Sequence, residues 1–172
     1  MNKKDTPGGI ITARAFKYAV SFYDFADKKF PALRAYPPEN ARGTLLQAAI
    51  VVATLIALER RTKGDGWAEL HNSVALAFAP SVRDRHLAAI QELSCVLLGL
   101  DRSVLKPIGI PSFAGLADAP DAKLVETIGF WMTRSMSMKR NLEPDDLKLA
   151  AAIGRSAWTS AAIIVRLLNA EK

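Results

Sequence analysis

Apolar residues recur at spacings of three and four along almost the whole chain, and alternating runs rich in β-branched residues are scarce. That period is helical. It predicts helices over residues 12–29, 44–62, 67–79, 81–99, 121–140 and 144–169, and hence an all-α protein: a single compact bundle of five to six helices. No shift in composition marks a boundary, so residues 1–172 read as one domain, with 1–11 expected to be flexible.

The helices differ in their faces. The first is aromatic on two sides, with Phe16, Val20 and Tyr23 on one and Tyr18, Phe22 and Phe25 on nearly the opposite one. One side should meet the core and the other a second subunit or the connecting loops, so Tyr18, Phe22 and Phe25 are interface candidates. Helix 44–62 is apolar all round and is expected at the centre. Its uncharged run, Gly43 to Leu58, falls short of a membrane span and is diluted by Gln47 and Thr54, so it reads as a core helix with no membrane span. The last helix opens on Pro144, Asp145 and Asp146, suited to a positive helix end, and its many small residues allow close neighbours around Trp158.

Prolines punctuate the connections. FPALRAYPPENARG (30–43) separates the first two helices, and TKGDG (62–66) the next two. Between Leu100 and Pro120 the prolines 107, 111 and 120 make a helix improbable, yet Ile108, Ile110, Phe113 and Leu116 argue against disorder. An ordered strap laid over the bundle is expected, with Ile108, Ile110 and Phe113 as further interface candidates.

Charge changes the picture modestly. Lys and Arg number 23 against 17 Asp and Glu, a net of +6, which favours polyanionic partners without requiring them. The lone Cys95 precludes an intramolecular disulfide, and MNKKDTPGG carries no apolar stretch behind its lysines, so a reducing, cytoplasmic setting is expected.

Catalytic chemistry finds little support. His71, His86 and Cys95 are the only soft or imidazole ligands, and Cys95 falls on the opposite side of its helix from His86, so neither a metal nor another cofactor is expected. Cys95 has no basic neighbour at helical spacing, and GDG at 64–66 is a turn rather than a phosphate cradle. His71 and His86 both lie at the centre of apolar arcs. With a tight turn at Ala79–Pro80 the imidazoles would lie within about one helical turn, roughly 5 Å, of each other along the axis. That leaves two readings open, a proton-transfer or ligand pair and two buried structural histidines.

Basic residues offer better candidates. Arg60, Arg61 and Lys63, and then Lys139 and Arg140, sit at helix C-termini, where the dipole favours them without any partner. Lys148, Arg155 and Arg166 project within about 20° of one another on the last helix, a polyanion-binding candidate. LAAAIGRSAWTSAAI (149–163) loosely echoes a helix-turn-helix, but Arg155 and Ser160 stand where such a motif is apolar, so one uninterrupted helix is expected. In APSVRDRHL (79–87), Arg83, Arg85 and His86 surround a helix start with free backbone N–H groups, an anion-binding candidate.

The leading expectation is a non-enzymatic helical adaptor or subunit that binds another macromolecule, a protein partner or a second copy, through helix faces and the strap. The first rival is a basic nucleic-acid-binding or ribonucleoprotein subunit that uses the last helix. The second is a small-anion binder or enzyme centred on His71 and His86.

Overall fold

A computed structural model describes residues 6–37, 39–61, 66–101, 103 and 109–170. Six α-helices pack together, and no described residue lies in a strand. They are α1 (Pro7–Lys29), α2 (Glu39–Glu59), α3 (Trp67–Ala77), α4 (Pro80–Leu98), α5 (Asp121–Ser137) and α6 (Pro144–Ala170), with short 3-10 turns at Pro31–Ala35 and Ala114–Leu116.

Helix starts follow local chemistry. Thr6 caps α1 by accepting the Gly9 N–H at 3.1 Å, and Pro7, Pro80 and Pro144 each occupy a first turn, where their missing N–H costs nothing. α1 therefore begins ahead of the expected residue 12, and residues 7–11, expected to be flexible, are helical. Gly8 explains the difference: a Cβ there would lie 2.2 Å from the backbone carbon of Ser73, so only glycine lets α1 and α3 approach this closely. α3 stops at Ala77 because the residues before Pro80 are pushed to extended backbone. α2 spans 39–59 rather than 44–62, and α5 ends at Ser137 rather than 140.

α2 is the centre of the bundle. Leu46, Ala48 and every residue from Ala49 to Ile56 are buried, and α1, α4, α5 and α6 all pack against it. By length and composition the 42–59 window and α6 are each apolar enough to cross a membrane; the first of these is wrapped by neighbouring helices. α6 runs uninterrupted and meets α5 at a crossing of two glycines. A Cβ at Gly129 would lie 2.0 Å from the Ala150 carbonyl, and one at Gly154 2.0 Å from the Val125 carbonyl.

The connection after α4 folds back onto the bundle over its described part. Ile110, Phe113 and Leu116 are buried. Glu59 accepts the Phe113 N–H at 2.5 Å and the Ser112 hydroxyl at 3.2 Å, while Arg60 donates to the Leu116 and Ala119 carbonyls and pairs with Asp121 at 2.6 Å. Arg60, read from sequence as a solvated helix end without a partner, is thus the anchor of this strap. Lys139 likewise has partners, Asp146 at 2.9 Å and Glu143 at 3.6 Å.

Candidate functional site

α1 lies on the bundle along a stripe of small residues, Ala15, Ala19 and Ala26, all buried. That stripe runs between its two aromatic flanks, and of the flanking rings Phe22 turns in to join the core. Each flank borders a hollow, one on either side of the helix.

The larger hollow is an open groove of about 1160 Å³ walled by α1, floored by α2 and closed at one end by the turn from α3 into α4. Phe16 and Val20 stand on the α1 wall with 57% and 45% of their surface exposed, which is unusual for side chains of this size beside a core. The floor is polar. Gln47, buried within an otherwise apolar stretch of α2, donates to the Thr12 carbonyl at 2.9 Å, and its oxygen faces His86 Nε2 at 2.8 Å. His86 Nδ1 faces the Val82 carbonyl at 2.9 Å, and the ring stacks on Phe78 with centroids 4.4 Å apart. Burial holds the His86 pKa below its ordinary value, and the positive charge of Arg85 adds to that, against the Val82 hydrogen bond.

Of the three anion-binding candidates, Arg85 and His86 line this groove, joined by Arg42 from α2. Arg83 does not. It turns back to donate to the Phe78 carbonyl at 3.2 Å, at the end of α3. Gln47, Arg42, Phe16 and Val20 were not read as site residues from sequence; the lone glutamine in an apolar helix was the signal available for the floor.

The smaller hollow, of about 480 Å³, brings together two sets read separately: Tyr18, Phe22 and Phe25 of α1, and Arg155 of α6. Phe25 is 52% exposed with the Lys29 ammonium 5.2 Å from its ring centroid, whereas Phe22 is buried and belongs to the core. Ile110 and Phe113, also expected at an interface, are buried because the strap covers the bundle with its own apolar side chains. Ile108 lies outside the described residues. Lys148, Arg155 and Arg166 all stand on the exposed face of α6, but Lys148 is paired with Asp145 at 2.9 Å, so the stripe is not free of acid.

His71 and His86 do not form a pair. His71 Nε2 lies 3.2 Å from Glu59 near the end of α2, while His86 meets Gln47 near its start. The two contacts are separated by the rise of twelve helical residues, about 18 Å. α3 packs against α1 and α4 against α2, so the tight α3–α4 hairpin that would unite the imidazoles does not form. Glu59 Oε1 and His71 Nε2 face each other away from the groove, both buried and neither with a hydrogen bond among the described residues. Burial raises the Glu59 pKa against the hydrogen bonds from Phe113 and Ser112, and lowers that of His71 against its bond to the Ile110 backbone. Cys95 is buried too, contrary to its expected place on a polar face, because α4 is covered by both α2 and α5. Among the described residues no three His, Cys, Asp or Glu side chains gather as metal ligands.

Comparison with protein families, characterised proteins and solved structures finds no match to this chain.

Proposed function

We propose that this chain is a non-catalytic helical binding module that receives an amphipathic helix of a protein partner in the groove along α1. The observation that carries the reading is the combination of an exposed apolar wall, Phe16 and Val20, with a polar, hydrogen-bonded floor. Recognition of an amphipathic helix in a groove uses this combination: apolar anchors three and four residues apart seat against the wall, and polar groups set register. The lining runs from Gly9 to Lys28 on α1, about 28 Å at a helical rise, room for several turns of a partner helix. The central 42–59 window is read as the core of this module rather than as a membrane span.

The test is a selection of amphipathic helices from a displayed peptide library on the wild-type protein, with the enriched peptides then measured on a Phe16→Asp, Val20→Asp double variant. Both residues are largely exposed, so the variant should fold. Enriched helices should lose at least about tenfold in affinity for it, the value of about 1.4 kcal/mol. Equal affinity for both proteins, or no enrichment over scrambled sequences, would remove the reading.

One observation favours a second reading, a polyanion-binding surface. Arg155 shares its hollow with Tyr18 and Phe25, and basic residues beside aromatic ones suit the phosphates and bases of a single strand. A salt titration with a single-stranded oligonucleotide tests it, because each phosphate contact adds about 0.7 to the slope of log affinity against log salt. Arg155→Glu should weaken binding and flatten that slope; a slope near zero in the wild type rejects this second reading.

A further inference from the structure

We infer that the partner helix is acidic where it meets α2 and α4: its carboxylates seat against Arg42 and Arg85, and their arrival places a second ring proton on His86. The inference rests on the groove being the binding site.

Its starting point is a hydrogen-bond count. The Thr12 carbonyl can only accept, so the Gln47 amide nitrogen must face it, at 2.9 Å. The Gln47 oxygen is thereby turned to His86 Nε2 at 2.8 Å, while His86 Nδ1 faces another acceptor, the Val82 carbonyl, at 2.9 Å. Both partners of the ring are acceptors. Only the imidazolium has two N–H groups to give, and a neutral ring leaves one nitrogen lone pair aimed at an oxygen at hydrogen-bond distance. Stacking on Phe78, with ring planes 26° apart, also suits a cation.

The surroundings oppose that charge. The ring is buried, and the charge acting on it from its own helix is Arg85, of the same sign. Among the described residues the remaining titratable groups along the groove are Tyr23, Asp24, Asp27 and Lys28 from α1 and Arg42 from α2; α3 and the following turn contribute Ala77, Phe78 and Ala79. Asp27 is engaged by Arg34 at 3.7 Å, and no carboxylate among the described residues is hydrogen-bonded to His86. A buried cation without a counter-charge is costly, so the bonds around His86 favour a second ring proton that burial and Arg85 oppose.

An occupant can supply what is missing. The acidic side chains lie on the α1 wall and the arginines on the α2 and α4 side, where Arg42 donates through Nη1 to the Leu33 carbonyl at 2.5 Å but keeps a buried Nε with no partner among the described residues. Charge complementarity therefore directs an incoming helix to lay carboxylates on the arginine side, beside His86, and its apolar face on Phe16 and Val20. The +6 balance of the chain favours the same class of partner. The proton taken up comes from solvent, so binding weakens as pH rises. In the window between the lowered pKa of the free protein and the raised pKa of the complex, affinity should fall about tenfold per pH unit.

The experiment uses the whole chain and two designed helical peptides with the same leucine face, one bearing a row of glutamates and the other glutamines at those positions. Calorimetry in buffers of different ionisation enthalpy counts protons. Nitrogen NMR of the imidazoles reads His86 directly, with His71 as the internal reference outside the groove. The glutamate peptide should bind with uptake of about one proton, with both His86 nitrogens becoming protonated, and with the stated pH dependence. Arg85→Gln should weaken it, Phe16→Asp should abolish it, and the glutamine peptide should bind more weakly with no proton uptake. If both peptides bind equally at the Phe16 wall while His86 stays neutral, the groove reading survives and the acidic partner is overturned. If neither binds, or if the glutamate peptide binds Phe16→Asp as well as wild type, the groove reading falls and this inference with it.

Discussion

Tyr36 and Asp146 stand 110 residues apart and share a buried hydrogen bond, the hydroxyl donating to Oδ1. The other carboxylate oxygen accepts the Glu143 N–H at 3.0 Å and the Lys139 ammonium at 2.9 Å. One side chain thus caps the first turn of α6, closes the turn after α5 and ties down the connection that leads from α1 into α2.

Loss of that carboxylate should therefore cost more than loss of one bond. Asp146→Ala leaves the Tyr36 hydroxyl and the Glu143 N–H without their acceptor, while Lys139 keeps Glu143, and is expected to remove about 2–4 kcal/mol, against about 1–2 for Tyr36→Phe, measured by chemical denaturation. The pH dependence has a definite sign. Burial pushes the Asp146 pKa up, but the bonds from Tyr36, the Glu143 N–H and Lys139 outweigh it and hold the value below the ordinary 3.8. A depressed carboxyl contributes stability that is present above that ordinary value and is lost as pH falls through the folded one. The deficit of Asp146→Asn relative to wild type should accordingly shrink in acid; a constant deficit would mean that the charge is not what the site uses.

The α5–α6 crossing makes a sharper demand. Gly129→Ala or Gly154→Ala places a methyl group 2.0 Å from a carbonyl oxygen of the facing helix, and rigid backbone cannot yield as a side chain would. Each change is expected to cost about 3 kcal/mol or more, the upper range for overpacking. Gly43, inside α2, has nothing within 4 Å of the same construction, so Gly43→Ala should instead stabilise by about 0.5–1 kcal/mol through helix propensity. Melting curves of the three variants decide the matter, and similar behaviour of all three would contradict the close crossing.

Ile50 and Leu55 lie fully buried at the middle of α2. Truncation of either to alanine should remove about 2–5 kcal/mol, with the spread set by how far the surrounding helices relax into the cavity. A loss under about 1 kcal/mol at both positions, outside that range, would place α2 away from the core.

The helical period carried most of this architecture in the sequence. It marked six helices, a central apolar α2, two inward histidines and an exposed basic stripe on α6, because each of these depends on which residues share a face. It could not say which face meets which. His71 and His86 both point inward, yet they reach opposite ends of α2, since α3 packs on α1 instead of forming a hairpin with α4. Phe22, Ile110 and Phe113 looked like interface residues because apolarity is the same for a core as for a contact; the packing of α1 on the bundle separates the first, and the fold-back of the strap the other two. Gly8 looked like the end of a flexible arm, since glycine disfavours helices in general and is required in this one by the approach of Ser73. Gln47 read as a dilution of an apolar run, although a buried amide in such a run must have a partner, and its partner is the groove histidine.

The same count of donors and acceptors gives a less intuitive result at Glu59. Its Oε2 accepts from Phe113 and Ser112, while its Oε1 faces His71 Nε2 at 3.2 Å, and His71 is also bonded to the Ile110 backbone. Neither Oε1 nor Nε2 has a hydrogen bond among the described residues, and a proton between carboxyl and imidazole would close the contact. Glutamine supplies that hydrogen permanently: its oxygen can keep the strap amide and its NH₂ can donate to neutral His71. Glu59→Gln should therefore retain the strap, whereas Glu59→Ala should lose about 1–3 kcal/mol by stranding buried donors. Burial raises the Glu59 pKa above the ordinary 4.5, and a raised carboxyl contributes stability that is full below its unfolded value and lost as pH rises through the folded one. The lowered pKa of His71 has the opposite sign, its share being lost as pH falls from about 6.5, but His71 is present in both proteins and its effect largely cancels. Glu59→Gln should thus gain on wild type as pH rises, and the Phe113 amide should exchange more slowly in the variant at alkaline pH. If Glu59→Gln proves as damaging as Glu59→Ala at every pH, the strap is held by a charged carboxylate–imidazolium pair and the shared-proton account is wrong.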